Sequence, residues 1–527
     1  MALLSTLFGR HGPAVLTLCV AAAGLAGCKQ GAPTGNKTGA EPAAAAAAAN
    51  PCGNYAPVLK AAIPEQTGQD QVQNDCAAWQ VFFALNWRAD PARPGYPDAN
   101  AKPADFGMPG DMSPVVWETY LEPSKVFGGD APLQGLWQAK RPAVKSLVRT
   151  SKFGALDLSS IVQAGSGDHW LTNQRGDVTY YEVMMNRDEY EFITTQNLTT
   201  AAGQLACAEQ PGQNLLGTLR GGFNMPSGPQ DGWDDTDCTG KLHRYTDGVG
   251  AMEIKAAWTP LPADRSLDYR YKTATALILD PVTKTSRKVT VGLVGLHIAR
   301  KRFPRLPWIW ATFEHIDNSP DQAGQGGFSP PALPANPNQR PSPGYTFFNP
   351  KCTPQIDPTY GCRQNFPPRP CGKGGICMPY NKPMQITRVT PVDAAANSAT
   401  AYAWSLLPAK SVFNYYRLIG VQWPTGRLAV PKPGQRLPLP MGDPMPKGKA
   451  GGVSQILANT TLESFQQTTH ACMDCHANFA SIASQPSAAL RSGATGQLRR
   501  APATVPTAGQ APYAADYSFI FATETKR

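Results

Sequence analysis

Two cysteines and a histidine stand together near the end of this 527-residue chain. In the stretch TTHACMDCHANFA, Cys475 follows Cys472 by three positions, and His476 comes directly after it. Two thiols at this spacing can add to the two vinyl groups of one haem, and the adjacent imidazole can then reach the iron from the same side. The motif therefore predicts one covalently attached haem c, with Cys472 and Cys475 as the thioether sites and His476 as the iron ligand.

A redox dithiol and a zinc site are the alternatives for the same residues. A dithiol normally lies on a helix that follows a strand in a βαβ unit. The residues before Cys472 instead have a helical pattern, in which Thr460 and Glu463 match a capping box. Zinc would need four ligands, and His470 is the only additional one nearby. We favour haem over both.

The first residues of the chain predict export and lipid attachment. Residues 1–27 contain a short basic stretch and an apolar run, too short for a comfortable membrane span, that ends in small residues. The sequence LAGC resembles a bacterial lipobox, so we expect lipid on Cys28; a plain secretory signal is the alternative. Residues 28–50 then form an Ala-rich tether. Because Lys29 follows the cysteine, as in outer-membrane lipoproteins, we predict a periplasmic protein anchored to the outer membrane.

Charge narrows the range of partners. The formal net charge is +10, but the basic residues are scattered, with only short clusters such as RKRFPR. Together with the export signal, this pattern argues against nucleic acid as a partner. The predicted partners are a periplasmic redox partner protein and the membrane, which the chain contacts through its lipid anchor.

Eight further cysteines predict disulfides, because an even number in an oxidising compartment is normally paired. We expect neighbours to pair: Cys52 with Cys76, Cys207 with Cys238, and two bridges among the four cysteines of residues 352–377. A tetracysteine zinc site in that last segment is the alternative.

Hydrophobic patterns predict the elements that position these residues. The segment CAAWQVFFALNW predicts a helix over residues 76–87, and helical spacing returns over residues 391–419. Between these segments, five β-branched and aromatic runs are separated by Gly, Pro, Asp or Asn. They predict the strands VTYYEVMMN, GAMEIKAAWT, TATALILD, RKVTVGLVGLHIA and PWIWATFEHI.

The predicted fold class is α+β. Residues 51–450 form a large, disulfide-containing, β-rich main domain built on an antiparallel sheet or sandwich. Residues 318–383 are a Pro-, Gly- and Cys-rich excursion from that domain. Residues 451–527 form a small helical segment that attaches the haem.

The segment LANTTLESFQQTTHACMDCHANFA resembles a group of bacterial exported proteins described as cytochrome c family proteins. The resemblance extends over most of the mature chain and includes GVQWP, AAWQVFFALNW, VVWETY, VGLHIARKR, WIWATFEHIDN and QITRVTP. It implies one covalent haem c on a large domain of unassigned role, attached at Cys472, Cys475 and His476. It implies no catalytic residue.

The residues after the motif differ from those of an ordinary small cytochrome c. The 51 residues that follow His476 contain neither Met nor His and are rich in Ala, Pro, Gln and Ser. They cannot easily bury a large apolar macrocycle, so we expect the large domain to cover the other haem face. Any second iron ligand must then come from upstream, and the candidates are His297, His315, His470, His169, His243, Met441 and Met445. An iron without a second protein ligand is the alternative.

Several of these residues also have a simpler interpretation. His297 and His315 lie in apolar or aromatic runs, where a hydrogen-bonded structural histidine is the more frequent case. The aromatic residues of segments 79–87 and 308–310 could line a substrate cleft, but at their spacing they are more often part of the core.

Together the residues predict a periplasmic, lipid-anchored, monohaem c-type cytochrome that binds haem and transfers single electrons. The alternative is a periplasmic haem-dependent oxidoreductase whose active site lies between the large domain and the haem. A surface binding lipoprotein with a structural haem is a third interpretation. The chain contains no Gly-rich phosphate loop, no G-x-S-x-G and no H-E-x-x-H, so no catalytic residue is predicted.

Overall fold

The structure is a computed structural model of the chain. It describes residues 50–65, 67–68, 70–127, 132–147, 170–208, 224–229, 235–280, 283, 285–302, 306–321, 344–358, 361–367, 370–371, 375–376, 379–424, 444–445, 456–468, 472, 476, 482 and 515–522. The predicted signal, the tether up to residue 49 and Cys28 lie outside the described residues. Export, lipid attachment and location therefore stay predictions.

Helices and strands occur in both halves of the chain. The α-helices are α1 (Gln71–Leu85), α2 (Pro123–Phe127), α3 (Arg187–Thr195), α4 (Ala201–Ala208) and α5 (Ala394–Leu406). The strands are β1 (Lys145–Leu147), β2 (Tyr180–Met185), β3 (Met252–Pro260), β4 (Thr273–Leu279), β5 (Ser286–Arg302), β6 (Leu306–His315), β7 (Pro370–Cys371), β8 (Gly375–Ile376), β9 (Tyr416–Pro424) and β10 (Pro444–Met445). Of the helices within the described residues, none combines the length and the hydrophobicity that crossing a bilayer requires.

One mixed sheet dominates the structure and is centred on the 17-residue strand β5. One edge of β5 pairs with β3, and the other pairs with β4 and then β6. The sheet continues from β3 to β2, from β6 to β9 and β10, and from β4 to β1. Only β1 and β4 pair in parallel, while the other pairings within this sheet are antiparallel. The five runs predicted as strands are confirmed as β2 to β6, so the β-rich main domain is confirmed as a mixed sheet.

The sheet curls until its outer strands approach each other. Lys145 of β1 places its ammonium 2.9 Å from the Glu182 carboxylate of β2 and 3.2 Å from Glu118. The same ammonium lies about 5 Å from the ring centroids of Trp117 and Trp258. These contacts join the two ends of a nearly closed barrel.

Helix α1 is buried almost all round, which is the pattern of a core helix. Asp70 caps its N-terminus, because the Asp70 side chain accepts a hydrogen bond from the backbone N–H of Gln73 at 2.9 Å. Trp79 and Phe82 of this helix pack on Phe313 of β6, with ring centroids 5.1 and 4.5 Å apart. The interpretation of the aromatic clusters as core is confirmed, because their members are buried: Trp79, Phe82, Phe83, Trp87, Trp308 and Trp310.

The predicted helical spacing over residues 391–419 is only partly confirmed. Helix α5 ends at Leu406, just before Pro408, whose ring cannot continue the helix. The residues from Tyr416 onward form β9, because they pair with the available edge of β6. The helices α3 and α4 were not predicted from the strand-rich middle of the chain. Helix α3 begins where the Asn186 side chain accepts a hydrogen bond from the Glu189 N–H.

The predicted neighbour pairing of cysteines is confirmed for the bridges that the structure describes. These disulfides are Cys52–Cys76, Cys207–Cys238 and Cys352–Cys362. The last bridge removes two ligands of the alternative zinc site, and the nearby Asp357 carboxylate is held by Lys382 at 2.8 Å. The fourth bridge stays a prediction, because Cys377 and the Cys371 side chain lie outside the description.

Candidate functional site

The residues that precede the motif, 456–468, lie on the face of the sheet opposite α1. Asn459 anchors them, since its amide nitrogen donates to the Thr312 hydroxyl at 3.0 Å and to the Phe313 carbonyl at 2.7 Å. The amide oxygen of Asn459 accepts a hydrogen bond from the Thr461 N–H at 2.9 Å. The backbone N–H of Asn459 donates to the Glu463 carboxylate, also at 2.9 Å. The predicted capping box is therefore wrong by one residue, because Asn459 takes the place proposed for Thr460. Residues 460–465 form turns instead of the predicted helix.

A buried carboxylate fastens this segment to β6. Glu314 accepts hydrogen bonds from the backbone N–H of Thr460 at 3.0 Å and from its hydroxyl at 2.8 Å. The same carboxylate forms ion pairs with Arg388 and Arg417. Burial alone would raise the pKa of Glu314, but the two guanidinium groups outweigh it and lower the pKa. Glu314 therefore remains charged and links two buried cations to the C-terminal segment.

Close approach of the segment to the sheet requires a glycine at position 295. A Cβ built on Gly295 of β5 would lie only 2.2 Å from the Thr461 hydroxyl oxygen and 3.1 Å from the Asn459 amide oxygen. Any larger residue would push the segment off the sheet.

The motif residues that the structure describes are Cys472 and His476, and both have helical backbone. Their spacing of four residues places them on one side of a helix. The backbone N–H of Cys472 donates to the side-chain oxygen of Gln422 on β9 at 3.0 Å. Cys475 lies outside the described residues. Cys472, the first predicted thioether position, is thus held directly against the sheet.

His476 is oriented by a backbone carbonyl. Its Nδ1 lies 2.7 Å from the carbonyl oxygen of Tyr517, and its ring centroid lies 5.3 Å from Trp310 and 4.6 Å from Phe519. Since a carbonyl only accepts, Nδ1 carries the proton and Nε2 keeps its lone pair. Burial lowers the pKa of His476 to about 4 despite the hydrogen bond to Tyr517. Among the described residues, no hydrogen bond to Nε2 is formed, so this nitrogen can bind a metal ion.

A strained turn carries the carbonyl that orients His476. Asp516 and Tyr517 have φ angles of 49° and 68°, in the left-handed region that non-glycine residues rarely adopt. Interactions of the Asp516 carboxylate compensate for this strain. It accepts from the Met225 N–H at 2.8 Å and forms a buried ion pair with Lys301.

Of the candidate second ligands that the structure describes, His297 is the one that lies beside the motif. It is half-buried on β5, directly opposite Lys255 of β3, and its Nε2 lies 3.3 Å from the Glu463 carboxylate. His297, Lys255 and Glu463 all contribute to the electrostatic environment of His476. These three charged or titratable side chains therefore form one polar group beside His476.

His315 is a structural histidine, so its candidacy as an iron ligand is wrong. It is fully buried and stacks on Tyr271 with ring centroids 3.9 Å apart. Its Nδ1 accepts from the Asp317 N–H at 3.1 Å, and its Nε2 lies 3.1 Å from the Arg270 carbonyl oxygen. Burial lowers its pKa to about 4. Both ring nitrogens are used within the core.

The remaining candidates are not brought to the motif by the described part of the structure. The His243 ring contacts Tyr245, with centroids 4.4 Å apart. His169, His470 and Met441 lie outside the described residues, and the Met445 side chain is not described either.

A cleft elsewhere on the molecule includes neither motif residue. It is lined in part by Trp87, Phe106, Phe413 and Lys272. Of the charged residues that line it, Lys272 pairs with Glu118 at 3.1 Å and Arg88 pairs with Asp98 at 2.9 Å.

Sequence reasoning missed the residues that support the motif. Gln422, Tyr517 and Glu314 come from separate parts of the chain. Gln422 and Glu314 lie in the segments GVQWP and WIWATFEHIDN, but nothing in those segments indicated contact with the motif. Comparison with known proteins adds no further constraint, since no family model, no curated protein and no solved structure matches this chain.

Proposed function

We propose that this chain is a c-type cytochrome with one haem attached at Cys472 and Cys475 and bound through Nε2 of His476. We further propose that it is exported, lipid-anchored at Cys28 to the outer membrane from the periplasmic side, and exchanges single electrons with a periplasmic redox partner protein. Nucleic acid is not among the proposed partners.

The hydrogen bond from His476 Nδ1 to the Tyr517 carbonyl is the observation that carries this proposal. Metal-binding histidines usually donate their other ring N–H to a carbonyl or carboxylate, which sets the tautomer and the ring orientation. A structural histidine such as His315 uses both nitrogens instead. Nε2 of His476, which accepts no hydrogen bond from the described residues, and the nearby cysteine thus fit the donor set that haem c requires.

The large domain supplies the groups that would hold and shield the haem. Gln422 holds the backbone of Cys472, and Trp310 and Phe519 provide aromatic surface beside the His476 ring. Haem itself supplies the one-electron redox couple when it is bound. The role of the chain is to orient the imidazole, exclude water from its surroundings and present His297 as a candidate second ligand.

Attachment is tested by expressing the full chain in a host that exports it and matures c-type cytochromes. The wild-type protein should gain the mass of one haem, and Cys472→Ala and Cys475→Ala should each remove one thioether bond and lower the amount of bound haem. His476→Ala should change the spectrum by removing the proximal ligand. The measurements are intact mass and the pyridine haemochrome spectrum.

Met473→Ala is the matched control, because Met473 lies between the two cysteines and has no proposed role. It should bind haem like the wild type. A folded, exported wild-type protein that carries no haem would exclude the proposed function.

A haem-dependent oxidoreductase is the second candidate. The polar side chains of His297, Glu463 and Lys255 beside the motif favour this candidate, because electron transfer alone does not require such a group. A low-spin iron that does not react with CO supports electron transfer, whereas a high-spin, CO-binding iron supports the oxidoreductase. If His297 is the second ligand, His297→Ala will convert a low-spin spectrum to a high-spin one, and His243→Ala will not.

A further inference from the structure

Two glutamates meet below the turn that orients His476. Glu189 of α3 is completely buried, and the carboxyl group of Glu253 on β3 lies within hydrogen-bonding reach of it. Within the described part of the chain, no N–H or O–H group donates to either carboxyl oxygen of Glu189 or to Oε1 of Glu253. Buried carboxylates normally accept several hydrogen bonds or pair with a cation, so this contact requires an explanation.

A shared proton explains the contact best. Two adjacent buried carboxylates cannot both remain charged, but a protonated carboxyl group can donate to its ionised neighbour. Burial, followed by the neighbouring charge, raises the pKa of Glu189 well above its usual value, and burial raises the pKa of Glu253 to about 7.

A bound metal ion explains the contact less well. Metal sites gather three or more ligand atoms around one point. The third acidic residue nearby is Asp516, but its carboxylate is held by Lys301. Among the described residues, Glu189 and Glu253 are not part of any three-ligand cluster of Asp, Glu, His or Cys.

The turn at residues 516–518 connects the glutamate pair to His476. Asp516 adds its negative charge to the surroundings of both glutamates and pairs with Lys301 of β5. Tyr517 accepts the hydrogen bond from His476, and the Ser518 side chain hydrogen bonds to Glu253. The three successive residues of this turn thus contact, in order, the Lys301 ammonium, the His476 imidazole and the glutamate pair.

Among the described residues, Asp516 of the C-terminal turn is the further charged group that acts on both glutamates. Its own cation is Lys301 of β5, which also interacts with Asp235. Because Lys301 is shared between these two aspartates, it does not neutralise the pair. A change in charge at His476 would therefore be felt at the pair through a poorly screened interior.

We propose that Glu189 and Glu253 form a proton-binding pair coupled to the His476 site, so that an electron arriving at the haem draws a proton from solvent onto the pair. This inference rests on the proposed function. The electron comes from a one-electron donor, either a redox partner protein or a chemical reductant. The proton leaves a hydronium ion or buffer acid and forms an O–H bond on a carboxylate oxygen, so the added negative charge is balanced.

The coupling is tested on the purified haem-loaded protein by spectroelectrochemical titration between pH 5 and 9. The midpoint potential of the wild type should fall as pH rises near neutrality. Full coupling changes the reduction equilibrium about tenfold per pH unit, which equals about 59 mV for one electron. Because Glu189 already holds the shared proton, the additional proton binds at Glu253. Glu253→Gln, which keeps the side-chain shape but cannot take up this proton, should remove most of the slope.

Glu191→Gln is the matched control, because Glu191 lies on the same helix and binds Arg187 and Thr246 instead. It should keep the wild-type slope. An equal slope in the wild type and in Glu253→Gln would overturn the coupling.

Infrared spectroscopy separates failure of the pair from failure of the proposed function. The wild type should show the C=O band of a buried protonated carboxyl group at pH 7, with or without haem, and Glu189→Gln should lose it. If this band is present but the protein binds no haem, the proposed function and the coupling both fail while the shared proton stands. Absence of the band overturns the pair itself. Stabilisation of the wild type but not Glu189→Gln by Ca²⁺ or Mn²⁺ would overturn it in favour of a metal site.

Discussion

At the scale of single residues, two histidines of this chain show how hydrogen bonding distinguishes a proposed metal ligand from a structural histidine. His315 and His476 each have a pKa lowered to about 4, so both are neutral near pH 7. His315 uses both ring nitrogens inside the core, whereas His476 uses one of them on the Tyr517 carbonyl. The pKa values therefore do not distinguish the two residues, but the partners of their ring nitrogens do.

Asp75 gives a residue-scale prediction about pH. This side chain of α1 is fully buried, and burial raises its pKa well above the ordinary 3.8. Between 3.8 and that raised pKa, the folded state holds a proton that the unfolded state releases, so the free energy of unfolding falls as pH rises. Asp75→Asn keeps an oxygen for the Gln71 amide, which donates to Asp75 at 2.8 Å, and cannot ionise.

We therefore expect Asp75→Asn to match the wild type in thermal stability near pH 4 and to exceed it increasingly toward pH 9. Thermal denaturation followed by circular dichroism across this range measures the difference. The same change at the exposed Asp105 serves as control and should give a difference that does not grow toward alkaline pH. A constant difference for Asp75→Asn would contradict the argument.

At the scale of elements, the important contact is between β6 and residues 456–468. Glu314 of β6 connects Arg388, Arg417 and Thr460, so one carboxylate ties three separate parts of the chain. Gly295 of β5 then allows Thr461 to lie against the sheet. These contacts define where the chain enters the motif, since Cys472 follows only a few residues later.

Glu314→Gln should destabilise the fold by about 3–5 kcal/mol, because it leaves two buried guanidinium groups poorly compensated. It should also increase hydrogen exchange in residues 460–468, whose first N–H donates to this carboxylate. Urea denaturation and hydrogen-exchange mass spectrometry provide the two measurements.

Asp321→Asn is the matched comparison, because Asp321 also contacts Arg417 at 3.1 Å but is partly exposed. It should cost about 1 kcal/mol or less, as expected for a partly solvated ion pair. Equal losses in the two variants would argue against Glu314 as the anchor of the segment.

At the scale of the whole molecule, one hydrophobic core runs from the first described residues to the last. It includes Cys52 at one end of the chain and Phe521 at the other. Phe521 packs on Phe127 of α2 with ring centroids 5.8 Å apart. The C-terminal residues that orient His476 are thus part of the same core as the sheet, and folding of the large domain positions the motif.

Disulfides add to the stability of this core, and their effect should depend on loop length. The Cys207–Cys238 bridge closes a loop with a sequence separation of 31, compared with 10 for Cys352–Cys362. Replacing both cysteines by serine should cost about 2–4 kcal/mol for the first bridge and about 1 kcal/mol less for the second. Urea denaturation of the two double variants measures this. A larger loss from the shorter loop would show that native-state contacts, not loop entropy, dominate.

The sequence predicted much of the fold correctly. Strands β2 to β6 are rich in β-branched and aromatic residues, and α1 has a continuous apolar pattern. Local composition was therefore sufficient to predict these elements. It failed at β9, because YRLIGVQW is equally compatible with a helix until the edge of β6 is available for pairing. The prediction of Thr460 as the capping residue was wrong because the neighbouring Asn459 can cap the turn equally well. Asn459 takes this role because its side chain also contacts β6.

For the candidate site, the sequence by itself predicted the chemistry, since two thiols and an imidazole at this spacing match the attachment geometry of haem within a few residues. Only the tertiary structure decided what surrounds that motif. Gln422 and Tyr517 reach it from distant parts of the chain, and the Glu189–Glu253 pair contacts the turn that contains Tyr517. Contacts over such separations depend on how the sheet curls and pairs, and no local pattern of residues specifies them. Tertiary structure likewise separated His297, which lies beside the motif, from His315, which is buried in the core.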